Sequence, residues 1–402
     1  MSKNQNTEQG KPVASIYKIS NIGPILFITL IFFLTFVARV LISPLMPEIE
    51  ESLGISHAQS GSLFLFMSMG YFLALIGSGY ISARILHRNT IVVSALGAGL
   101  ALCAISISNG FWGLTGSVFF LGFAAGLYLP SGITTLTDLV EPNQWGKAIS
   151  IHEIAPNLGF VAAPLIAEMM LIYFSWRVIP SLIGIFTICM GFLFVFYAKG
   201  GNFPGKAPGM DAFRALFFMR NFWIMVALFG LAISATLGIY TMLPLYLVSE
   251  LGFSRNFANT LIAVSRLFGL FSALASGWAS DRFGPRRTIM IMLGLTGVST
   301  ILMGILSGPT VVVCLVFIQA VLATCYFPAG FAVLSSIGPS GYRNVAISFT
   351  IPFAFLFGGG VVPSIIGMTG DAGSFSAGII IIGGLITAGA ALPHFLKIKK
   401  DG

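Results

Sequence analysis

Twelve runs of 19 to 28 residues, each carrying at most two charged side chains, follow one another between residues 24 and 396. About 20 apolar residues cross a bilayer as a helix. Hydrocarbon offers peptide groups no partner, so a run of this kind has to close its hydrogen bonds within itself. The runs occupy 24–47, 58–82, 90–108, 112–136, 148–172 and 176–198, then 221–248, 257–280, 288–307, 310–335, 345–368 and 374–396. Charged residues are only 8% of the 402, and 56% are hydrophobic. A soluble domain carries about 25% charge. A soluble enzyme, a nucleic-acid module and a disordered chain are thereby excluded, and an all-α, multi-pass membrane protein is expected in the lipid bilayer.

The first run is too long for a signal-peptide core, so 1–23 reads as a cytoplasmic tail. The net charge of +8 suggests loop asymmetry rather than nucleic acid. With the tail placed inside, 17 basic residues fall on that side (Lys3, Lys11, Lys18, Arg84, Arg88, Lys147, Lys199, Lys206, Arg214, Arg220, Arg282, Arg286, Arg287, Arg343, Lys397, Lys399, Lys400). Only Arg177 and Arg255 fall outside, and Arg39 and Arg266 lie within apolar runs. This places both termini in the cytoplasm and the chain in a plasma (bacterial inner) membrane. The expected organisation is a 24–198 bundle, a 199–220 cytoplasmic linker (Gly200, Gly201, Pro204, Pro208 and Asp211 among its residues), a 221–396 bundle and a 397–402 tail.

The halves are copies at one offset. Leu53-Gly54-Ile55-Ser56 recurs as Leu251-Gly252-Phe253-Ser254, and Gly79, Arg84 and Arg88 recur as Gly277, Arg282 and Arg286. Tyr128-Leu129-Pro130-Ser131-Gly132 recurs as Tyr326-Phe327-Pro328-Ala329-Gly330, and Ala148-Ile149-Ser150 as Ala346-Ile347-Ser348, all 198 positions apart. Two parallel six-helix pseudo-repeats put a binding site near mid-membrane, where the halves meet.

Gly277-Trp-Ala-Ser-Asp281-Arg282-Phe-Gly284-Pro-Arg286-Arg287 resembles the loop between helices two and three of the major facilitator superfamily, here as its second-half copy. The first-half copy keeps Gly79, Arg84, His87 and Arg88 but has Ala83 for the acid and Leu86 for the glycine. The resemblance implies the twelve-helix fold and a gating role for Gly277, Asp281, Arg282, Gly284 and Arg286, with Asp281 capping a helix end and pairing with arginines. Phe36-Val37-Ala38-Arg39 with Pro44 and Pro47 is similar to the first helix of anion:cation symporters, although Ala38 stands where those carry Asp. Arg266 is similar in placement to an arginine of monocarboxylate and oxalate carriers. In this family helices four and ten line the cavity, which would bring Tyr128 and Tyr326 to it. Gly159-x-x-x-Ala163-Pro164 is a loose copy of the family's antiporter motif, and small residues at that spacing also permit close helix packing.

Arg39 lies eight residues before Pro47 and Arg266 nine after Phe257, so each sits about 12–14 Å below the outer surface. A charge there costs about 2.5–3.5 kcal/mol on insertion scales. One guanidinium per half suits a small organic anion held bidentately between them. Alternatively, each arginine pairs within the protein and locks the bundle. Asn157, Tyr128, Tyr240, Gln319 and Tyr326 are the further expected substrate contacts. Glu153 and His152 are the expected proton carriers, a desolvated carboxylate beside an imidazole near its titration range; a helix-cap role is the plainer alternative. The four cysteines lie in apolar runs without CxxC spacing, the four histidines are scattered, and no GxxxxGK[ST] loop occurs. No disulfide, metal, cofactor or enzymatic activity is expected. The expectation is a monomeric secondary transporter for a mono- or dicarboxylate or a sugar acid, coupled to protons. A drug or hydrophobic-metabolite exporter is the alternative within transport, and a membrane receptor or structural subunit the alternative outside it.

Overall fold

The computed structural model describes residues 19–206, 210–337 and 343–396, and the regular elements among them are all helical. Residues 1–18 and 397–402 of the expected tails, with Lys3, Lys11, Lys18, Lys397, Lys399 and Lys400, lie outside the described residues, as does Pro208 of the linker, while 19–23 of the expected tail open the first helix. Among the described residues twelve helices cross the molecule, and their order follows the apolar runs. Helix 1 is Ile19–Val40 continued by Ile42–Leu53 after a turn at Leu41. Helices 2 and 3 form one stretch, His57–Ile107, broken at Leu86. Helix 4 is Phe111–Gly126 and Tyr128–Asp138, helix 5 Trp145–Leu171 and helix 6 Val178–Tyr197. Helix 7 runs from Arg220 to Glu250, and helix 8 is Arg255–Leu267 and Gly269–Phe283. Helix 9 is Pro285–Ile305, and helix 10 is Pro309–Thr324 and Tyr326–Leu334. Helix 11 begins at Arg343 and ends at Asp371, and helix 12 is Phe375–Gly389. A short helix, Met210–Phe217, lies in the linker. The breaks in helices 4 and 10, at Leu127 and Cys325, are again 198 positions apart and three residues before Pro130 and Pro328. Proline has no N–H to continue the ladder, so the chain bends there in both halves.

The two loops of the superfamily-like motif show what the repeat preserves. Leu86 has φ 71 and ψ 157, and its counterpart Gly284 has φ 85 and ψ 144. That region belongs almost to glycine alone. Leu86 is the one non-glycine residue at positive φ among the described residues. The linker holds it there: His87 N–H donates to Phe203 O (3.2 Å), Arg88 N–H to Gly201 O (2.9 Å) and Gly205 N–H to Ser82 O (3.1 Å). Arg88 also donates to Val195 O at the end of helix 6 (2.8 Å), and Arg286 to His394 O beyond helix 12. A guanidinium on terminal carbonyls offsets the negative helix end, and it ties the third helix of each half to the sixth.

The face bearing the 2–3, 4–5 and linker connections is called here the terminus face, and the opposite one the far face. Around the far face the halves pack through helices 1 and 7, 2 and 11, and 5 and 8. A Cβ on Gly61 would run into the Pro363 carbonyl, and one on Gly367 into the His57 carbonyl, so helices 2 and 11 touch backbone to backbone. Toward the terminus face, the last stretch of helix 4 (Tyr128–Asp138) makes at most marginal contact with that of helix 10 (Tyr326–Leu334). Replacing Leu86 by glycine relieves the strained backbone, and we expect the protein in detergent to gain on the order of 1 kcal/mol. Gly284→Leu should lose a comparable amount; melting curves of the two variants that do not move in opposite directions would contradict the account.

Candidate substrate site

Arg39 projects from helix 1 into a cavity of about 20 Å³, room for a single water molecule, between the halves. Helix 2 lines it with Ser68 and Tyr71, helix 7 with Leu237 and Thr241, and helix 11 with Phe355 and Gly359. The guanidinium carbon sits 4.1 Å from the Tyr71 ring centroid and 5.2 Å from that of Phe36. No hydrogen bond or carboxylate partner of Arg39 occurs among the described residues. Its charge is met by ring faces alone, a cation–π environment.

Arg266, buried at 7% exposure, donates from Nη2 to the Thr236 carbonyl at 2.7 Å. Its guanidinium carbon lies 4.9 Å from the rings of both Phe160 and Tyr240. Thr236 belongs to a π-turn in helix 7, Ser234–Gly238. A π-turn leaves carbonyls without their i+4 donors, and two of them take side chains: Thr236 from Arg266, and Ala235 from Gln319 Nε2 at 2.8 Å. The counterparts of the two arginines under the repeat are Leu237 and Ser68, and both line the Arg39 cavity. The arginines therefore belong to the same central layer, one from each half.

Proline explains how the layer is sealed toward the far face. Pro164 cannot donate to Phe160 O, and Tyr240 Oη does so instead, at 3.2 Å. Pro244 cannot donate to Tyr240 O, and Ser43 Oγ of helix 1 takes its place at 3.2 Å, sharing its proton with Thr241 O at 3.0 Å. Each freed carbonyl is satisfied across the boundary between halves.

Farther out is a polar cluster for which the sequence reading assigned no role. Glu168 of helix 5, 5% exposed, accepts from Arg255 Nε (2.9 Å) and Asn259 Nδ2 (2.7 Å) of helix 8. Arg255 also pairs with Glu48 of helix 1, and Asn259 donates to Pro44 O. Asp371 of helix 11 accepts from Ser56 Oγ (2.6 Å) and from the backbone of His57 (2.8 Å) and Ala58 (3.1 Å), capping helix 2. The available signal was composition: this face gathers acids around only two basic residues.

The remaining expected site residues separate. On helix 5, Glu153, Asn157 and Phe160 share a face by their i, i+4, i+7 spacing. Phe160 stands at Arg266, so Glu153 lies about 10 Å toward the terminus face on the cavity side. Glu153 is exposed, and Asn157 Nδ2 donates to its main-chain carbonyl rather than its carboxylate (2.8 Å). His152, the next residue round the helix, is fully buried and stacked on Phe32 at 4.3 Å. Tyr128 is also enclosed; its hydroxyl donates to Ile28 O at 2.7 Å and lies 3.0 Å from His152 Nε2. Because that hydroxyl hydrogen is committed, Nε2 is the donor to it, and Nδ1, without a hydrogen bond among the described residues, lies 3.5 Å from Glu153 Oε1. Tyr326 is buried against Phe229 with its hydroxyl unpartnered.

The Major Facilitator Superfamily model matches residues 28–363 and, in a second match, 238–401. The chain belongs to that superfamily. Its relatives include the probable nitrate/nitrite antiporter NarK1 of Thermus thermophilus, 25% identical over 86% of this chain and 81% of the relative. The cis,cis-muconate transport protein of Acinetobacter baylyi is 21% identical (90% and 91% covered), and the D-galactonate transporter of Escherichia coli 24% (91% and 92%). The multidrug resistance protein MdtL of Shewanella oneidensis matches at 22% over 62% of this chain and 64% of its own length. Among solved structures, a bacterial homologue of the human lysosomal transporter Spinster superposes with a TM-score of 0.80 at 17% identity, covering 94% of this chain and 97% of that one. The chain is thus a multi-pass membrane protein with a transporter fold.

In this superfamily member the intact loop motif is open to solvent. Asp281 is exposed and, among the described residues, has no hydrogen bond or ion pair; Arg282 lies 5.5 Å from the Trp278 ring. The staple expected at Asp281 is not made in this conformation, whereas the far-face cluster is. Removing Arg255 or neutralising Glu168 (R255A, E168Q) should release the far face. In a background lacking the native cysteines, a cysteine at Thr241 should then react with an impermeant maleimide from the far side about tenfold faster or more, ~1.4 kcal/mol of population shift. No change in that rate would mean that the cluster does not hold the closed face.

Proposed function

We propose that this protein is a secondary transporter that moves a small organic anion across the bacterial inner membrane by alternating access, with protons as the coupling ion. The observation that carries the reading is the pair Arg39 and Arg266, contributed by opposite halves to one layer and facing aromatic rings instead of carboxylates. A buried charge without an acidic partner is costly, and an anion bound between the halves would supply the missing countercharge. Binding at a boundary that closes on alternate sides also gives the ligand different contacts in each state, which alternating access requires. With the termini inside, the far face is the outer one and the conformation described is inward-facing. Relatives named for muconate and galactonate transport agree with an anionic substrate.

Proton coupling is assigned to Glu153 with His152. His152 Nδ1 and a Glu153 carboxylate oxygen lie 3.5 Å apart, near enough to share a proton. Glu153 is exposed, while His152 is fixed from behind by Tyr128. The second transport reading, an exporter of apolar compounds, draws on the aromatic walls and on the multidrug relatives; it predicts that neither arginine is needed.

Arg39→Lys and Arg266→Lys should each cut organic-anion uptake by about tenfold or more, since an ammonium cannot replace bidentate guanidinium contacts, while membrane insertion and yield stay unchanged. Full transport in either lysine variant would defeat the reading. Glu153→Gln should abolish accumulation driven by a pH gradient and leave substrate exchange intact; proton-driven accumulation at the parental level would remove Glu153 from the coupling step.

A further inference from the structure

Packed aromatic rings fill the region between Arg39 and Arg266. From Arg39 the Phe36 ring lies at 5.2 Å; Phe36 meets Phe160 edge to face at 4.9 Å; Phe160 and Tyr240, 4.8 Å apart, both lie against Arg266. Tyr71 and Phe355, with centroids 5.2 Å apart, flank Arg39 from helices 2 and 11. Ring surface is therefore continuous from one guanidinium to the other, and it is built for: a Cβ on Gly159 would sit 2.6 Å from the Phe36 ring, so glycine at that position makes room for it.

The polar groups in the same place are few, and most are occupied. Thr241 Oγ1 donates to Gly238 O (2.9 Å), Tyr240 Oη to Phe160 O (3.2 Å) and Gln319 Nε2 to Ala235 O (2.8 Å). What stays without a protein partner among the described residues is the Arg39 guanidinium and the hydroxyls of Tyr71 and Ser68 on the cavity wall. These donors suit one carboxylate. An acid bearing a hydroxyl on every carbon would bury several of them unpaired, each at a cost of about tenfold in affinity. A flat π-electron body would instead stack on Phe36 and Phe160, offset or edge to face, as the rings already do with one another.

Resting on the organic-anion reading, we propose that the site selects a carboxylate carried on an aromatic or conjugated body over saturated and polyhydroxylated acids of equal charge. Phe36 and Phe160 are the specificity-determining residues and Arg39 the carboxylate anchor.

The test is binding of benzoate, cyclohexanecarboxylate and gluconate to the purified full-length protein, measured by calorimetry and by thermal stabilisation. Benzoate and cyclohexanecarboxylate share charge and approximate size and differ in the π system. Benzoate should bind at least about fivefold more tightly than cyclohexanecarboxylate, gluconate more weakly than either, and all binding should fall in Arg39→Ala. Phe160→Leu should erase the benzoate preference while retaining cyclohexanecarboxylate binding; Phe36→Leu serves the same purpose if the first variant does not fold. Cyclohexanecarboxylate or gluconate binding as tightly as benzoate, and still dependent on Arg39, overturns the π preference and leaves the anion site standing. A benzoate preference that survives both leucine variants overturns the assignment to these rings. Absence of binding for all three acids, or binding indifferent to Arg39→Ala, overturns the anion reading itself.

Discussion

A main-chain carbonyl that loses its helical donor inside hydrocarbon has to find another, and in this protein the replacement comes from the other half. Pro164 frees Phe160 O for Tyr240, and Pro244 frees Tyr240 O for Ser43. The prolines bend helices 5 and 7 and also convert their inner faces into acceptor sites. Individually such bonds are worth about a kilocalorie per mole. Their importance here is positional, since they set the helices of one half against those of the other at the level of the two arginines. The π-turn of helix 7 works in the same manner, offering Ala235 O and Thr236 O to Gln319 and Arg266.

On the far side of this layer the closure is ionic and covered. Glu168, Arg255 and Asn259 form a cluster in which the acid is nearly inaccessible and its oxygens are held from one helix of the opposite half. Exposed ion pairs contribute little, but breaking a buried one leaves a charge uncompensated. Such a cluster acts as a two-position element, made when the halves close there and lost when they part. The motif loops on the terminus face stand in the complementary condition: Arg88 and Arg286 hold neighbouring helices within each half, and Asp281 projects freely.

Most of the architecture was legible in the chain. Helix count and order follow from apolar run length, because backbone saturation in lipid allows little else. The 198-residue repeat located the loop copies, and counting from Pro47 and Phe257 placed Arg39 and Arg266 near mid-depth; the structure added the paired breaks at Leu127 and Cys325. The same repeat exposed the Leu86 substitution, and the structure shows its consequence, a leucine held in a glycine conformation by the linker.

Other features depended on side chains meeting across distances that periodicity does not encode. Adjacent residues His152 and Glu153 differ in surroundings, one locked against Tyr128 and Phe32 and the other exposed; a helix turns by 100° per residue, but only packing decides which side is which. Tyr128 and Tyr326 occupy equivalent places, yet the first has a histidine partner and the second none among the described residues. The far-face cluster joins Glu48, Glu168 and Arg255 over more than 80 residues of sequence. The sequence determined that this chain spans a membrane as two six-helix copies with an arginine inside an apolar run of each, because hydrophobic length and repetition are local and additive. Which groups balance those arginines, and which face of the molecule is shut, was decided only by tertiary packing, because each depends on the relative placement of two halves that the chain joins but does not position.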